Sequence, residues 1–598
     1  MVDPEPDLEP NLDVAIIGAG WHGLAMAKTY SEAYPSAQIA IFDSATSVGG
    51  VWAKERLYPG LKTNNMLGSY EFGDFPMFPE RFGVRPGQHI PGAVVHQYLR
   101  QFAEEYGLTA RLRLNTKVES AEVLGNGEWV LLVSNIADDP SKTRSIKAKK
   151  LVIATGLTSK PAMPVFPGQS EFQGKLFHSI HLKDRAKDIE SAREVVVLGA
   201  SKSSWDTCYS AAMSGAHVNM VIRPGGGGPS WVLPAFFTPL KLSIQRLATT
   251  RLCSLLEPCV WAGESSGFSW MRYLLHRTVV GRRVVKMLWS LLDMIVLRAN
   301  RYDNHPEMRK LRPWSDTFWM GNNLGIHNYE NNWFDLVRKG RISVHIADVA
   351  SLSGSGVHLS NGAVINADTF VCCTGWDVLP PIQFLPEAVA EELGFPATSP
   401  SIQTKERQEM VLVARAQILK TVPSLSSGPM KTLPESAAAP MGTHEAKHRA
   451  SPRSNYELYR FMVPPSQKSF QHRNIAIIGA HLAVNAITVA QAQALWITAY
   501  FNDKIDHLSP AQISRREIEY QTILHAEYCR LRHPPAGGGA GHKCPDLVFD
   551  GLLYTDLLLQ DLGLEVGRKK SWWRELVCRY LPNDYQGLVG EWKGQQNI

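Results

Sequence analysis

"DVAIIGAGWHGLAMAKTY", residues 13–30, decides the fold. An apolar run leads into Gly18, Gly20 and Gly23 at the spacing G-x-G-x-x-G, and an alanine-containing helical stretch follows. The first glycine turns the chain out of a strand, the second lets a pyrophosphate approach the backbone, and the third lets helix and sheet pack closely. The helix N-terminus then offers N–H groups and the positive end of its dipole to phosphate. A second apolar run, "QIAIF" (38–42), ends at Asp43, twenty residues after Gly23, where an acid accepts hydrogen bonds from a ribose. A dinucleotide-binding βαβ unit is expected here.

The pattern restarts at "EVVVLGASKSSWD" (194–206). Gly199 keeps the turn, but Ser201 and Ser204 stand where the second and third glycines belong. Ser201 adds only a hydroxymethyl group, and hydroxyls at Ser203 and Ser204 suit a helix N-terminus and an anion. The next strand, "HVNMVI" (217–222), ends at Arg223, nineteen residues after Ser204. An acid at this place favours a free ribose hydroxyl, whereas a basic residue favours a 2′-phosphate. The two units are thus chemically divided, Asp43 against Arg223, and the second is expected to take NADPH. "LVIATG" (151–156), "TFVCCTGW" (369–376) and "NIAIIGA" (474–480) read as further short strands that end in a glycine turn.

"SVGGVW" (47–52) follows Asp43, and Asn64 precedes "DFP" (74–76) by ten residues. With "HIPGAVVHQYLRQFAEEYGL" (89–108), these stretches resemble the flavin-containing monooxygenases and their Baeyer–Villiger relatives, the class B flavoprotein monooxygenases. The resemblance implies FAD in the first unit and NADPH in the second. NADPH would reduce the flavin, which would capture dioxygen as a C4a-hydroperoxide and give one oxygen atom to the substrate. It also implies that Asn64 lies near the flavin and helps hold the oxygenated intermediate. "FQGKLFHS" (172–179) matches the family's F-x-G-x-x-x-H-S, but Leu182-Lys183 replaces its aromatic pair, so the Baeyer–Villiger fingerprint is incomplete. His178 is a candidate acid near neutral pH or a linker between the units. The expected catalytic residues are Asn64 and His178. The expected cofactor contacts in the first unit are Gly18, Gly20, Trp21, His22, Gly23 and Asp43, then Gly50, Val51, Trp52 and Asn64, with Val118 further on. In the second unit they are Gly199, Ser201, Ser203, Ser204 and Arg223.

Composition sets the outer bounds. With 62 basic and 56 acidic residues the chain carries a formal charge of +6, too little to argue for nucleic acid. Eight scattered cysteines form no C-x-x-C, so neither a metal cage nor a redox pair is legible, and adjacent Cys372-Cys373 read as core. The start, "MVDPEPDLEPNLD", carries no apolar signal core, and a reducing, cytoplasmic location is expected. A disulfide reductase would need the missing cysteine pair, a flavin oxidase would need no Arg223, and a non-catalytic scaffold would need none of these motifs.

The expected fold class is α/β, with two dinucleotide-binding, Rossmann-like domains and the NADPH domain inserted in the FAD domain. Residues 12–170 and 377–504 form the FAD-binding domain, 171–376 the NADPH-binding domain, and 505–598 a helical C-terminal appendage broken by "PPAGGGAG". Residues 422–455, rich in Pro, Ser and Ala, read as a disordered or surface loop. The Trp-rich stretch 230–335 reads as a helical insert that roofs the site and suggests a bulky hydrophobic substrate, such as a polyketide or terpenoid intermediate. Within it, "RRVVKMLWSLLDMIVLRANR" (282–301) has a 14-residue apolar part interrupted by Lys286 and Asp293. That is short for a membrane span and reads as a buried helix or cavity wall, while its basic flanks also suit a helix lying on a membrane surface.

Overall fold

The structure is a computed structural model of the 598-residue chain. It describes residues 11–139, 141–236, 247–262, 268–396, 404–437, 455–509 and 511–596. Strand β1 (Leu12–Ile17) runs through Gly18–Gly20 into helix α1 (Trp21–Ala33), and the chain returns in β2 (Ile39–Phe42). Both strands are nearly all buried, as β-branched runs with a helix packed over them must be. On its other side β1 pairs in parallel with the end of a long strand, β3 (Thr143–Ile153). The first half of β3 belongs to an antiparallel meander with Trp129–Asn135 and Thr116–Val123. Ile475–Ile477 returns to pair with the end of β3, and Gln383–Leu385 pairs with Thr116–Val123, closing an eight-stranded sheet.

The second sheet holds five parallel strands in the order Lys175–His178, Thr369–Cys372, β4 (Glu194–Leu198), β5 (His217–Ile222), Ile342–Ile346. Helix α2 (Lys202–Met213) joins β4 to β5. The two units repeat one arrangement: a strand ending in Thr-Gly lies beside the strand that enters the glycine turn, Ile153 opposite Ile17 and Cys372 opposite Leu198. The second sheet is inserted between β3 and the later strands of the first. The fold is therefore α/β with two Rossmann-type units. Only the first strand of 341–365 joins the parallel sheet. The other three, Val349–Ser353, Gly356–Leu359 and Val364–Asn366, form an antiparallel meander.

Three readings of the sequence need correction. The apolar stretch of the insert is not a buried helix throughout. It lies in the 22-residue helix α4 (Val279–Asn300), which follows α3 (Ser269–Arg277) and buries only Gly281, Val285, Trp289, Val296 and Asn300. The loop 422–455 is ordered over its first part. Val422 and Leu425 are buried, and the Lys431 ammonium donates to the carbonyls of Pro224 (2.6 Å) and Gly226 (2.7 Å) while lying over the Trp314 ring. Residues 438–454 of that loop lie outside the described residues.

The C-terminal segment is helical, yet it is no peripheral appendage. Helix α5 (Ala486–Phe501) is buried from Ile487 onward and packs between α1 and α6 (Gly551–Asp561), and Trp592 is fully buried in the same core. The glycine-rich stretch does break the helical run, which stops at Arg532 and resumes at Gly551, and it is also a tight contact. A Cβ on Gly227, in the loop after β5, would lie 2.4 Å from the Gly538 Cα.

Ion pairs fasten this segment to the insert. Fully buried Arg532 donates to Glu257 at 2.8 and 3.2 Å, and Arg272 donates to the Glu257 carbonyl. Removing one member of a buried pair strands the other without solvent, a loss of about 3–5 kcal/mol. Arg532→Leu should lower stability by about that amount in urea unfolding, well beyond the effect of an exposed arginine such as Arg515.

His525 is buried between Trp261 and Phe461, and burial holds its imidazole down at about 3. The unfolded chain takes up this proton near pH 6.5, so its contribution is fully present above pH 6.5 and is lost as pH falls toward 3. The thermal midpoint should fall across that window, and His525→Gln should flatten the fall.

Candidate active site

At the first loop, each glycine meets a distinct constraint. A Cβ on Gly23 would lie 1.8 Å from the Gly18 carbonyl oxygen, so the helix can seat on the sheet only without one. Gly18 itself has φ +116°. Gly20 is different: a Cβ there would meet nothing closer than the Gly50 Cα at 3.6 Å. The protein does not require glycine at position 20, so the open space above it is a cradle that a side chain would fill. Gly20 also caps α1 without a side-chain hydrogen bond, leaving the first-turn N–H groups directed at that space. The Gly49 N–H donates to the Ala19 carbonyl at 2.9 Å, which lays Gly50 and Val51 across the loop, Val51 exposed and Gly50 against Gly20.

Asp43 accepts from the N–H groups of Ala19 (2.7 Å) and Ala45 (2.8 Å). Burial raises its carboxyl pKa, and these two bonds oppose the rise. Each oxygen keeps a lone pair for a ribose hydroxyl. The Trp21 ring points into an aromatic cluster with Tyr70, Phe72 and Tyr98, which leaves its backbone N–H to face the loop. The indole N–H of Trp52 donates to Tyr70 at 3.1 Å, so Trp52 is also a wall of that cluster. His22 lies against His481 with ring centroids 5.5 Å apart, and burial pushes its imidazole down to about 4, keeping it neutral. Val118 is buried two residues beyond Thr116, whose N–H donates to the Asp43 carbonyl. Open Gly20, the unclaimed helix end and Asp43 together fit a flavin dinucleotide.

At the second loop Gly199 has φ +136°, and Ser201 is exposed at the N-cap of α2, with no side-chain capping bond. Ser203 is half-buried at the start of the helix. Ser204 departs from expectation. It is fully buried, with its hydroxyl 2.6 Å from where a Gly199 Cβ would stand, so it fills the gap between helix and strand and faces away from any anion at the helix end. Arg223 is exposed at the end of β5.

His178 is fastened within the second unit, beside the strand that ends in Thr374-Gly375. Its Nδ1 accepts from the Ile180 N–H (3.2 Å), which leaves Nε2 as the donor to the Gly375 carbonyl at 3.0 Å, and burial lowers its pKa. Lys183 reaches across to the first unit, donating to the Lys54 carbonyl at 2.6 Å. Cys372 and Cys373 are buried, and burial pushes the Cys373 thiol up to about 11.

Asn64 lies on the short strand Lys62–Met66 and lines a cavity of about 160 Å³. Leu324 and Ile326 of the insert, Leu482 and Val484 beside α5, and Val548 and Phe549 of the C-terminal segment form most of its wall, with Asn65 and Asn322 as polar members. Sequence reasoning missed the C-terminal contribution because neither periodicity nor the family resemblance reached residue 548. It missed Asp206 as well. This buried carboxylate, inside the quoted "GASKSSWD", accepts from Tyr58 (2.6 Å), Tyr329 (2.7 Å) and the Lys202 ammonium. Lys202 reaches Asn328 at 3.2 Å, and Asn328 donates to the Thr63 carbonyl at 3.1 Å, one residue from Asn64. Burial pushes both tyrosines well above their usual range and keeps them protonated donors.

Two glycine loops on two Rossmann-type sheets, bridged by the Lys183–Lys54 and Tyr58–Asp206 bonds, with an apolar cavity at Asn64, define a flavoprotein of the two-dinucleotide class. The sequence profile described as pyridine nucleotide-disulphide oxidoreductase matches residues 12–225. The chain is 34% identical to FAD-dependent monooxygenase rstn6 of Aspergillus nomiae NRRL, over 98% of this chain and 99% of that protein. It is also 34% identical to FAD-dependent monooxygenase resA of Aspergillus sclerotiorum, over 98% of each. Among solved structures, cyclohexanone monooxygenase from Rhodococcus sp. Phi1 shares the fold, with a TM-score of 0.57 at 15% identity over 93% of this chain and 98% of that one. The chain belongs to the FAD-dependent monooxygenases, and it is an oxidoreductase that uses FAD.

The two glycines separate folding from cofactor binding. Gly23→Ala should destabilise the protein by about 3 kcal/mol or prevent folding, because its Cβ meets backbone. Gly20→Ala should keep the thermal midpoint of the flavin-free protein yet lose flavin on gel filtration, read as the absorbance ratio of flavin to protein.

Proposed function

We propose that the protein is an NADPH-dependent FAD monooxygenase that inserts one atom of dioxygen into a bulky, largely hydrocarbon substrate, such as a polyketide or terpenoid intermediate. The observation that carries the reading is the apolar cavity with Asn64 in its wall, tied through Asn328 and Lys202 to the helix of the second nucleotide motif. Bound flavin, once reduced by the nicotinamide, supplies the oxygen-activating chemistry. In balance, NADPH, one proton, dioxygen and substrate give NADP⁺, water and the oxygenated product.

The chain's own residues divide the work. The α1 N-terminus and the backbone around Gly20 hold the pyrophosphate, and Asp43 takes the ribose. Exposed Ser201 and the first turn of α2 receive the second pyrophosphate, with Arg223 at the 2′-phosphate. Asn64 presents its amide to the reacting region, where a hydrogen bond and exclusion of water both protect an oxygenated species from wasteful breakdown. His178, with both ring nitrogens engaged, braces the edge of the second unit rather than moving a proton. The cavity's eight apolar residues and three asparagines suit a substrate with few polar groups.

The test is oxygen uptake driven by NADPH, with the product of a lipophilic substrate panel analysed by mass spectrometry under ¹⁸O₂. One labelled oxygen in the product supports the reading. NADPH oxidation that yields only hydrogen peroxide across the panel would indicate an oxidase. Arg223→Ala should raise the KM for NADPH at least about tenfold and leave that for NADH nearly unchanged, since only NADPH carries the extra phosphate.

A further inference from the structure

Among the described residues, α3 and α4 carry a broad uncovered apolar face. On α4, Val280, Met287 and Leu291 share one side of the helix, and Val280 is 71% and Met287 62% exposed. Trp270 on α3 is 58% exposed. The C-terminal segment adds Trp572 and Trp573, the latter 62% exposed, and the Trp572 ring lies 5.8 Å from Phe268 at the start of α3. Two stretches far apart in sequence, the α3–α4 pair and the Trp572–Trp573 segment, thus meet at Phe268. Gly281 permits the α3–α4 corner: a Cβ there would lie 1.9 Å from the Leu274 carbonyl oxygen.

Charge around this face has one sign. Arg277, Arg282, Arg283, Lys286 and Arg298 lie on α3 and α4, and the one acid of the two helices, Asp293, turns inward to accept from the Thr317 N–H at 2.9 Å. Arg277 also covers the ring of exposed Tyr273. Among the described residues no helix is long and apolar enough to cross a membrane. An amphipathic helix with a basic flank, accompanied by exposed tryptophans, instead matches the boundary between lipid headgroups and acyl chains. The opposite side of α4 packs into the core behind the cavity wall. Val285 and Trp289 are buried, and the Trp289 ring lies 5.6 Å from Phe549 in the cavity wall. The helix and the wall residues behind it therefore lie between the exposed apolar face and the cavity.

We propose that the α3–α4 pair and Trp572–Trp573 seat this enzyme on the surface of an anionic lipid bilayer, with α4 between the bilayer and the cavity wall. The seating stands independently of the reading of the cavity as the substrate site. The basic residues attract anionic headgroups, and the apolar stripe and tryptophans enter the headgroup boundary. A lipophilic substrate dissolved in the bilayer would then be held beside the wall it must pass.

The test uses the full-length, flavin-loaded enzyme and sedimentation with phosphatidylcholine vesicles, with or without about one-third phosphatidylserine. Binding to the anionic vesicles is expected to be at least about tenfold tighter than to neutral ones and to weaken at high salt. The double variant Met287→Glu, Leu291→Glu is expected to lose at least about tenfold of that binding. Its thermal midpoint and vesicle-free NADPH oxidation should stay those of the parent, because both side chains point outward. Parent enzyme that stays in the supernatant, or a variant that sediments equally, overturns the proposal. A dimer of the parent that the variant dissociates, without vesicle binding by either, assigns the face to a second copy of the chain and also overturns it.

Discussion

The candidate site depends on one buried carboxylate. Asp206 sits on α2 of the second unit, yet its donors come from three places: Tyr58 of the first unit, Tyr329 of the insert and Lys202 of its own helix. A buried negative charge is tolerable only with such a set of donors, and they fix the positions of the elements that bring them. Lys202 passes the constraint to Asn328, and Asn328 to the backbone beside Asn64. The position of Asn64 relative to the second nucleotide loop is thereby set through hydrogen bonds. Lys183 makes a further bond across the same joint, to the Lys54 carbonyl.

Much of the fold was legible in the sequence because the glycine loops impose local rules. Gly23 must be glycine for steric reasons inside the protein, and Gly20 need not be, which is the signature expected of a residue that faces a ligand. The second loop was legible in part. Gly199 and Ser201 lie as their spacing implies, but Ser204 turned inward, because the third position of the motif meets the sheet in both units. A hydroxymethyl group fits there; the pattern of residue types alone does not tell an inward hydroxyl from an outward one.

What escaped the sequence was long-range. The cavity wall joins residues 64, 324, 482 and 548, and no window of periodicity spans such distances. The D-F-P aspartate, Asp74, has a role that local reading could not assign. It accepts from Lys28 on α1 at 2.5 Å and from the Gly587 N–H at 2.7 Å, pinning the C-terminal segment to the first unit. Gln491 and Gln493 bond the backbone at Gly73 and Gly479 and so brace the same region. The α4 stretch was misread for a related reason: its composition is that of a core helix, and only the neighbours it lacks reveal the outer face.

The C-terminal contacts bear on how the chain is made. The core around α1 is completed by residues as far apart as Val14 and Trp592, and the Lys593 ammonium reaches the Ala33 carbonyl at the end of α1. During synthesis the nucleotide loop emerges hundreds of residues before the helices that shield its reverse side. The second sheet, made of strands between residues 175 and 372, can close on its own long before that. The inserted unit therefore has all its strands at a point of synthesis when α1 still lacks the helices that cover it, and its apolar face stays open over that interval.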